Sequence, residues 1–366
     1  MDLNPAFWRG RRVLVTGHTG FKGGWLSLWL QSLGAEVSGL ALAPPREGFF
    51  NAVRLGEVMR SEEGDIRDLA RVEDAMRTAR PQVIFHLAAQ ALVRASYKDP
   101  VGNYATNVMG TVHVLEAARQ VPGVEAIVLV TSDKCYENLE WPWGYRETDP
   151  LGGHDPYSSS KGCAEIVAAA YRRSFFAAVP GGPALATARA GNVIGGGDWS
   201  EDRLVPDVLR AVAAGHAPEI RNPNATRPWQ HVLEPLRGYL LLAQGLAQED
   251  EAARYAEAWN FGPDAAAERT VDWVVRRLLE QVGSTVRWAP AAGGQPHEAN
   301  LLKLDISKAR ARLGWHPALA IGEALALTAG WYSQAQAGAD MRKFSLEQIA
   351  AYAALAAGKQ AEGQAA

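Results

Sequence analysis

The stretch VLVTGHTGFKGGWL, residues 13–26, joins a short apolar run to a turn that is rich in glycine. Residues 13–15 predict a buried strand, and the apolar positions over residues 23–33 recur at helical spacing. A strand, a glycine-rich turn and a helix N-terminus together form a site for an anion such as a pyrophosphate, because backbone N–H groups and the positive end of the helix dipole meet there. This order of elements is typical of the first unit of a nucleotide-binding α/β sheet.

The glycine turn has two interpretations. Gly17, Gly20 and Gly23 follow a G-x-x-G-x-x-G spacing, which differs from the standard dinucleotide fingerprint G-x-G-x-x-G, so a plain tight turn remains an alternative. Lys22 is either a solvated loop residue or a contact to a phosphate or a bound sugar nucleotide.

The alternation of strands and helices continues along the first half of the chain. It predicts further strands over residues 35–42, 83–87 and 126–130, and helices over residues 66–80 and 107–119. Strands that alternate with helices at this spacing indicate βαβ units. We therefore expect the α/β class, with a Rossmann-like, doubly wound parallel sheet and a smaller C-terminal α/β lobe.

Three regions of the chain differ in character. Residues 1–190 carry the alternating pattern and are predicted to form the dinucleotide-binding domain. Residues 191–345 contain crowded turn signals and predict a mainly substrate-binding lobe, partly interleaved with the first domain. Residues 346–366 end in a run of small residues and are predicted to be a frayed tail.

The composition excludes several classes of function. The 366 residues carry a formal net charge of −3, which gives no electrostatic footprint for nucleic acid or for a membrane surface. No apolar run approaches the roughly 20 residues of a membrane span, and residues 1–12 lack the apolar core of a secretory signal. Two cysteines provide neither a disulfide framework nor a metal motif. A cytoplasmic protein without a bound metal is expected.

A tyrosine and a lysine four residues apart form a candidate catalytic pair. Tyr157 and Lys161 lie on one face of a predicted helix, where the ammonium is expected to lower the pKa of the phenol. A phenolate can take a proton from a substrate hydroxyl while a hydride leaves the same carbon. A solvated surface pair is the alternative interpretation.

Polar residues follow the predicted strand 126–130. Ser132, Asp133 and Lys134 occupy the carboxyl end of this strand, where parallel sheets form their ligand crevice. A surface loop is the alternative, but the order of glycine turn, strand-end serine, tyrosine and lysine favours a catalytic site.

Asp65 follows the expected third strand. Its carboxylate either accepts a hydrogen bond from an adenine amine or caps the next helix, a role that Asp68 can also serve.

These motifs resemble the extended short-chain dehydrogenase/reductase family over most of the chain. The general matches are TGHTGFKG, GDIRD, HLAAQ, NVMGT, YSSSK, RAGNVIGGGDW and DISKARARLGWHP. More specific stretches are similar to nucleotide-sugar 4,6-dehydratases, in particular those of CDP-glucose: TSDKCYEN, WGYRE, GGHDPYSSSKGCAE, RLVPD, RPWQHVLEP and PHEANLLKLD. Related dehydratases usually carry Asp-Glu where this chain has Asp133 and Lys134.

The resemblance implies roles for individual residues. It implies a catalytic group made of Ser132, Asp133, Lys134, Tyr157 and Lys161. It implies that NAD is held by Gly17, Thr19, Gly20, Phe21, Lys22, Gly23, Asp65, Ile66, Leu87, Ala88, Ala89, Asn107, Tyr157 and Lys161. It implies that the nucleotide sugar is bound by Gln90, Arg94, Asn192, Arg203, Arg227, His297 and Glu298.

The implied reaction is an internal redox elimination on CDP-D-glucose: oxidation at C4, loss of water across C5–C6 and return of the hydride to C6. Tyr157 would take the C4 hydroxyl proton and Asp133 would protonate the departing hydroxyl. Lys134 would either remove the C5 proton or stabilise the enolate as a cation. The alternatives are a nucleotide-sugar 4-epimerase, a dehydratase of another nucleotide sugar, and a silent cofactor-binding protein.

One position departs from the family pattern. NAD-preferring members usually carry an acidic residue at the end of the second strand, whereas this chain has Ala43. NAD remains the expected cofactor, because the implied reaction regenerates it. The resemblance also implies a homodimer that pairs through two helices, with a tetramer as the alternative.

Overall fold

The computed structural model describes residues 1–248, 250–291 and 301–365. The strands are β1 (Arg12–Thr16), β2 (Glu36–Ala41), β3 (Arg60–Glu63), β4 (Val83–His86), β5 (Ala126–Val130), β6 (Ala184–Arg189), β7 (Val193–Ile194), β8 (Glu219–Ile220), β9 (Thr226–Pro228), β10 (Gln230–His231), β11 (Ala258–Asn260), β12 (Glu268–Thr270) and β13 (Ala289–Pro290). The helices are α1 (Pro5–Trp8), α2 (Phe21–Ser32), α3 (Phe49–Ala52), α4 (Leu69–Ala79), α5 (Val93–Lys98), α6 (Pro100–Tyr104), α7 (Gly110–Gln120), α8 (Pro156–Tyr171), α9 (Leu204–Ala213), α10 (Leu233–Leu246), α11 (Ala252–Tyr255), α12 (Val271–Gln281), α13 (Ile321–Gln336) and α14 (Met341–Ala365).

Seven parallel strands form the central sheet in the order β11-β6-β5-β4-β1-β2-β3. The chain moves outward from β1 in one direction and then returns to add β4, β5, β6 and β11 on the other side. The reversal places a crevice beyond the carboxyl ends of β1 and β4. The predicted doubly wound parallel sheet is confirmed.

Side chains that alternate along the strands separate two helical layers. Val13 and Val15 of β1 join the apolar core that includes residues of α2, α10 and α14. Leu14 between them joins the opposite core, which includes residues of α4 and α7. Because both faces of the sheet are covered, its inner strands consist almost wholly of apolar residues.

The predicted helix over residues 66–80 begins three residues later than expected, at Leu69. The carboxylate of Asp65 accepts the backbone N–H of Arg67 at 2.9 Å and holds a turn there. Asp68 then caps α4 by accepting the backbone N–H of Arg71. The capping role therefore belongs to Asp68, whereas the carboxylate of Asp65 is bound by Arg67.

The predicted helix over residues 107–119 is also divided. A π-turn spans Ala105–Met109, and the regular helix α7 begins at Gly110. Single π-turns are frequent at functional sites. Here the turn contains Asn107, whose side chain is treated below.

The tail is a helix, so its prediction as a frayed segment is wrong. The long helix α14 buries Ser345, Ile349, Tyr352 and Ala356, which follow one another at helical spacing. Alanine is the strongest helix former, and this stripe supplies the apolar face that anchors the helix to the core.

The second half of the chain adds one strand to the central sheet and three small strand pairs outside it. Strand β11 adds to the edge of the central sheet, while the two-residue and three-residue strands pair outside it as β10 with β7, β12 with β9, and β13 with β8. The division at residue 190 remains a prediction. Within the described ranges, no helix has the length and apolarity needed to cross a membrane, and no cluster of side chains suits a metal ion.

Candidate active site

A cleft of about 870 Å³ opens at the carboxyl ends of the central strands. It brings together nearly all of the residues that the sequence singled out. Those lining it are Gly17, Thr19, Gly20, Phe21, Lys22, Gly23, Asp65, Ile66, Leu87, Ala88, Ala89, Gln90, Arg94, Ser132, Asp133, Lys134, Tyr157, Lys161, Asn192, Arg203 and Arg227.

The three glycines of the turn serve different purposes. Gly17 has a φ of +79°, and a Cβ there would lie 2.7 Å from the backbone nitrogen of Ala88. A Cβ on Gly23 would lie 2.1 Å from the carbonyl oxygen of Gly17. Both positions therefore require glycine for the turn itself. A Cβ on Gly20 would meet only the Gly17 carbonyl oxygen, at 3.3 Å, so this glycine leaves the cleft side of the turn open.

The start of α2 is suited to an anion. Gly20 occupies the N-cap position without a side-chain hydrogen bond, and the first turn carries no acidic residue. The N–H groups of this turn therefore face the cleft end without an internal acceptor from a capping side chain. These features fit the pyrophosphate of a dinucleotide cofactor.

Lys22 adds positive charge to the same end of the cleft. Its side chain is half-buried, and burial lowers the pKa of its ammonium to about 7. The positive charge of Arg203 lowers this pKa further, whereas the carboxylates of Asp133 and Asp198 raise it. An anion bound nearby would restore the charged form.

The cleft is also lined by Asp65 and Ile66, which the sequence analysis assigned to the adenine. Nε of Arg67 donates to the carboxylate of Asp65 at 2.9 Å, and this hydrogen bond lowers the pKa of Asp65 below its ordinary value. Strand β2 ends at Ala41, and Ala43 beyond it is exposed. No carboxylate extends from the end of this strand.

The polar segment after β5 forms a short 3₁₀ turn, Asp133–Cys135. The Ser132 hydroxyl donates to Oδ1 of Asp133 at 2.9 Å and accepts the backbone N–H of Lys134 at 3.2 Å. Oδ2 of Asp133 is buried and has no hydrogen-bond partner among the described residues. One carboxylate oxygen is thus held by Ser132, while the other is buried without a partner among the described residues.

Helix α8 positions Tyr157 and Lys161. Asp155 caps the helix by accepting the backbone N–H of Ser158 at 3.0 Å, and Pro156 follows at the first helical position. One turn apart, Tyr157 and Lys161 both line the cleft. Nζ of Lys161 donates to the carbonyl oxygen of Val130 at 3.4 Å.

The expected low pKa of Tyr157 is wrong for this structure. Burial raises the pKa of the phenol above its ordinary value, opposed by its hydrogen bond to Ser132 and by the charge of Arg203. Burial also lowers the pKa of Lys161 to about 8. Burial is the largest cause of both shifts, and spacing along a helix does not reveal how far each group is buried.

A buried ion pair supports the catalytic segments from behind. Glu165, one turn after Lys161, accepts from Nη2 of Arg189 at 2.8 Å and from the hydroxyls of Thr131 and Thr187. Arg189 also donates to the Tyr136 hydroxyl at 2.6 Å. The network joins α8, β6 and the segment that follows β5.

The opposite end of the cleft is rich in arginine. Arg203 lies 3.9 Å from Asp198, and Arg94 lies 3.1 Å from Asp202. Asn192, between β6 and β7, has a φ of +48°, a backbone conformation that asparagine tolerates better than most residues. Planar guanidinium groups of this kind suit a diphosphate, because each can bond two oxygens at once.

The sequence analysis missed several residues of the cleft, among them Asp198 and Arg221. Asp198 lies in the GGGDW stretch, and its negative charge raises the pKa of Lys22. The position within that motif was the available signal for Asp198. Arg221, which pairs with Asp202 at 3.3 Å, carries no motif at all.

One described residue of the predicted site, Asn107, does not line the cleft. Asn107 lies behind its wall and accepts the backbone N–H of Gln90 at 2.9 Å. Its amide donates to the carbonyl oxygen of Gln90 and to the Ser160 hydroxyl, so its polar atoms are engaged within the protein and do not face a cofactor. His297 and Glu298 lie outside the described residues.

This geometry combines the groups needed for two kinds of chemistry. One set consists of Tyr157, Ser132 and Lys161, which can accept the proton of a hydroxyl as it is oxidised to a ketone. Asp133 and Lys134 add an acid and an amine, which can protonate a leaving group and take a proton from carbon. An oxidoreductase without elimination would need only the first set.

Comparison with known proteins agrees with this assignment of chemistry. A CDP-glucose 4,6-dehydratase from Salmonella typhimurium is 51% identical over 354 residues, which cover 96% of this chain and 98% of that protein. A solved dTDP-glucose 4,6-dehydratase from Streptomyces venezuelae with NAD bound is 26% identical, covers 90% of this chain and 99% of its own, and superposes with a TM-score of 0.75.

An epimerase shares the same architecture. The UDP-glucose 4-epimerase of Thermus thermophilus, solved in complex with NAD, is 28% identical, covers 87% of this chain and 98% of its own, and has a TM-score of 0.73. The sequence profile described as GDP-mannose 4,6 dehydratase matches residues 14–328. The chain therefore belongs to the GDP-mannose 4,6 dehydratase family, within the extended short-chain dehydrogenases/reductases.

Proposed function

We propose that this protein is an NAD-dependent dehydratase that converts CDP-D-glucose to CDP-4-keto-6-deoxy-D-glucose. The observation that carries the proposal is the convergence of Ser132, Asp133 and Lys134 with Tyr157 and Lys161 in one cleft. The identity of 51% with a CDP-glucose 4,6-dehydratase supports the choice of substrate.

The residues of the first turn fit NAD. Gly20 and the first turn of α2 would hold the pyrophosphate, Asp65 and Ile66 would flank the adenine, and Lys161 would bind the nicotinamide ribose. When bound, oxidised NAD supplies a positive charge and a two-electron acceptor that takes the C4 hydride and later returns it to C6.

In the first stage, Tyr157 takes the proton of the glucose 4-hydroxyl as the hydride leaves C4. The hydroxyl of Ser132, which donates to Asp133 in the free protein, would turn to donate to the same substrate oxygen, and the ammonium of Lys161 would stabilise the phenolate. Because burial keeps the pKa of Tyr157 high in the free protein, the positive charges that arrive with the bound ligands and Lys161 together must favour ionisation.

In the second stage, the C4 ketone acidifies the proton at C5. Lys134 takes this proton, the C6–O bond breaks, and Asp133 gives its proton to the departing hydroxyl, so that one molecule of water leaves. Asp133 lines the cleft beside Lys134, so we assign this transfer to its carboxyl group. Hydride return to C6 and protonation at C5 complete the product without net use of cofactor.

The nucleotide diphosphate would lie at the arginine-rich end. We assign Arg203, Arg227 and Asn192 to it, with Gln90 and Arg94 near the sugar. The same residues could hold other nucleoside diphosphates, so the choice of cytosine depends on the likeness to the Salmonella relative.

The decisive test is turnover of CDP-glucose with catalytic NAD in D₂O, followed by NMR, with UDP-, dTDP- and GDP-sugars in parallel. The proposal requires a 4-keto-6-deoxy sugar that carries deuterium at C5, with no net NADH, from CDP-glucose alone. A sugar returned as its C4 epimer with the 6-hydroxyl intact would establish an epimerase. Conversion of another nucleotide sugar would show that the proposed substrate, CDP-glucose, is wrong.

We also propose a homodimer. Helices α6 and α8 lie side by side, joined by the hydrogen bond between the Tyr104 and Ser159 hydroxyls at 2.6 Å. Large apolar side chains are exposed on or directly after them, with Val101 79% and Ile166 59% accessible. Exposed apolar surface of this kind is typical of an interface.

Sedimentation of the wild type and of Ile166→Glu tests this assembly. The wild type should sediment as a dimer and the variant as a monomer with unchanged circular dichroism. Val58→Glu, at an exposed site between β2 and β3, serves as the control and should stay dimeric. A monomeric wild type contradicts the proposal.

The substrate and the cofactor place the reaction in the cytoplasm, where nucleotide sugars and NAD are available. A 4-keto-6-deoxy nucleotide sugar is activated both for further reduction and for glycosyl transfer. We therefore assign the product to deoxysugar synthesis for a surface polysaccharide such as an O-antigen. A deletion strain that lacks the deoxysugar in its polysaccharide would support this assignment, and an unchanged sugar composition would refute it.

A further inference from the structure

The carboxylate of Asp133 occupies space that a side chain at position 191 would fill. A Cβ built on Gly191 would lie 1.8 Å from Oδ2 of Asp133 and 2.1 Å from its Cγ. Non-bonded carbon and oxygen atoms need more than 3 Å, so no residue other than glycine fits beside the carboxylate in its present position. The oxygen concerned is the one without a hydrogen-bond partner among the described residues.

The backbone of Gly191 cannot easily withdraw. Its carbonyl oxygen accepts from Nε2 of Gln230 at 3.1 Å, and the same nitrogen donates to the carbonyl oxygen of Phe261 at 2.9 Å. Gln230 is itself buried in β10, and its backbone N–H donates to the carbonyl oxygen of Asn192. The segment after β6 is thus fixed from the side opposite Asp133.

Conformation alone does not require glycine at this position. Gly191 is absent from the residues with positive φ, so an alanine could adopt its backbone geometry without strain. The missing Cβ therefore serves the neighbouring carboxylate. The consequence of adding it would be a rotation of the Asp133 side chain, since that is the flexible partner.

We propose that Gly191 is a positioning residue for the elimination step. Its bare backbone leaves room for Oδ2, so that Asp133 keeps the orientation in which it lines the cleft and its carboxyl group can protonate the departing 6-hydroxyl. This inference rests on the proposed dehydratase function. It adds that position 191, which lines the cleft, acts on the acid-dependent step through the orientation of Asp133.

The test compares Gly191→Ala with the wild type on two substrates. On CDP-glucose, Gly191→Ala should lose about 100-fold in kcat, because a displacement of about 1 Å in a reacting group has an effect of that size. KM and the thermal unfolding temperature should stay close to those of the wild type. On CDP-6-deoxy-6-fluoroglucose, fluoride leaves without a proton from Asp133, so the loss should shrink to less than about 5-fold.

Gly330→Ala is the matched control, because a Cβ at that helical glycine would meet nothing within 4 Å. It should behave as the wild type on both substrates. An equal loss on both substrates, or an unchanged kcat for Gly191→Ala, would overturn the positioning role. A wild type that fails to dehydrate CDP-glucose would instead contradict the proposed function itself.

Discussion

The three lysines that line the cleft have different surroundings. Burial lowers the pKa of Lys22 to about 7 and that of Lys161 to about 8, and Lys161 also donates to the carbonyl oxygen of Val130. The half-buried Lys134 is held through its backbone N–H by Ser132. The backbone of Lys134 is therefore held beside Asp133, whereas its side chain is the group whose role remains to be tested.

A pair of substitutions separates the two roles of Lys134. If Lys134 is the base, Lys134→Met and Lys134→Arg should both lower the dehydration rate by at least 100-fold, because a guanidinium keeps the charge but does not accept a proton. NMR in D₂O should show neither product nor deuterium at C5 for either variant. Substantial activity in Lys134→Arg would assign an electrostatic role, and near-normal activity in Lys134→Met would exclude both roles.

At this scale the sequence predicted the members of the site better than their protonation. Motif positions identified Ser132, Tyr157 and Lys161 correctly as neighbours of one cleft. The pKa of Tyr157 depends on how much water is removed from the phenol, and that quantity exists only after the chain has folded. Gly191 lies in the RAGNVIGGGDW motif, but the motif does not reveal its role, because that role depends on a residue far away in the sequence.

Among the secondary-structure elements, the Glu165–Arg189 ion pair links α8 to β6. Both side chains are about 3% exposed, so their charges depend on each other. The carboxylate also accepts the hydroxyls of Thr131 and Thr187, which leaves few of its hydrogen-bonding positions empty. Removal of one partner leaves an uncompensated charge in a dry environment.

Glu165→Gln should therefore lower the free energy of unfolding by about 3 kcal/mol. Urea denaturation measures the change. The double variant Glu165→Gln with Arg189→Met should recover part of the loss, because the buried guanidinium is then absent. If the two single losses simply add in the double variant, the ion pair has no special role.

A second prediction at this scale concerns the contribution of helix α14 to stability. The hydroxyl of Tyr352 donates to Oε2 of Glu234 at 2.7 Å, and its ring lies 5.8 Å from that of Trp29. Tyr352→Ala should lower the free energy of unfolding by about 4 kcal/mol through the cavity it creates. Tyr352→Phe should lose about 1 kcal/mol, and the exposed Ala350→Ser should lose almost nothing.

Chemical denaturation of these three variants provides the comparison. Equal stability of Tyr352→Ala and Ala350→Ser would restore the original expectation of a frayed tail.

The strands of the sheet were predictable because their apolar runs are short and bounded by turns. Helix α14 was not, since alanine gives little contrast between a buried and an exposed face.

At the scale of the whole molecule, one buried carboxylate connects distant parts of the chain. Glu234 on α10 accepts the backbone N–H groups of Ala318 and Leu319 as well as the Tyr352 hydroxyl. It therefore joins the helix beneath the sheet to the loop before α13 and to α14. Burial raises the pKa of Glu234 to about 7.

This raised pKa makes stability depend on pH. Between about pH 4.5 and pH 7 the folded protein holds a proton on Glu234 that the unfolded chain has lost, so the contribution of Glu234 to stability falls as the pH rises through this window. Glu234→Gln cannot lose that proton. The variant should gain about 2 kcal/mol relative to the wild type between pH 5 and pH 8.

Urea denaturation of the wild type and of Glu234→Gln at pH 5 and at pH 8 measures this gain. Because the buried histidines are the same in both proteins, their contribution cancels in the difference between the two free energies of unfolding. The exposed Glu347→Gln is the control and should track the wild type at both pH values. A constant offset between Glu234→Gln and the wild type would show that Glu234 does not titrate in this range.

The overall α/β organisation was predictable because hydrophobic periodicity is a local property. The return of β11 to the sheet was not, since three residues carry no periodic signal and their partner β6 lies about 70 residues earlier in the chain. The cleft followed from the topology once the strand order was known. The residues of its far wall, such as Arg221, required the folded structure.

The late arrival of β11 has a consequence for biosynthesis. A nascent chain that has left the ribosome only as far as residue 190 would present β6 with an unpaired edge and would lack the α10 and α14 side of its core. Such an intermediate exposes both apolar surface and free backbone hydrogen-bonding groups. We therefore expect the first half of the protein to be prone to aggregation until helix α14 has been synthesised. Chaperones or rapid translation would limit the time for which its apolar surface is exposed.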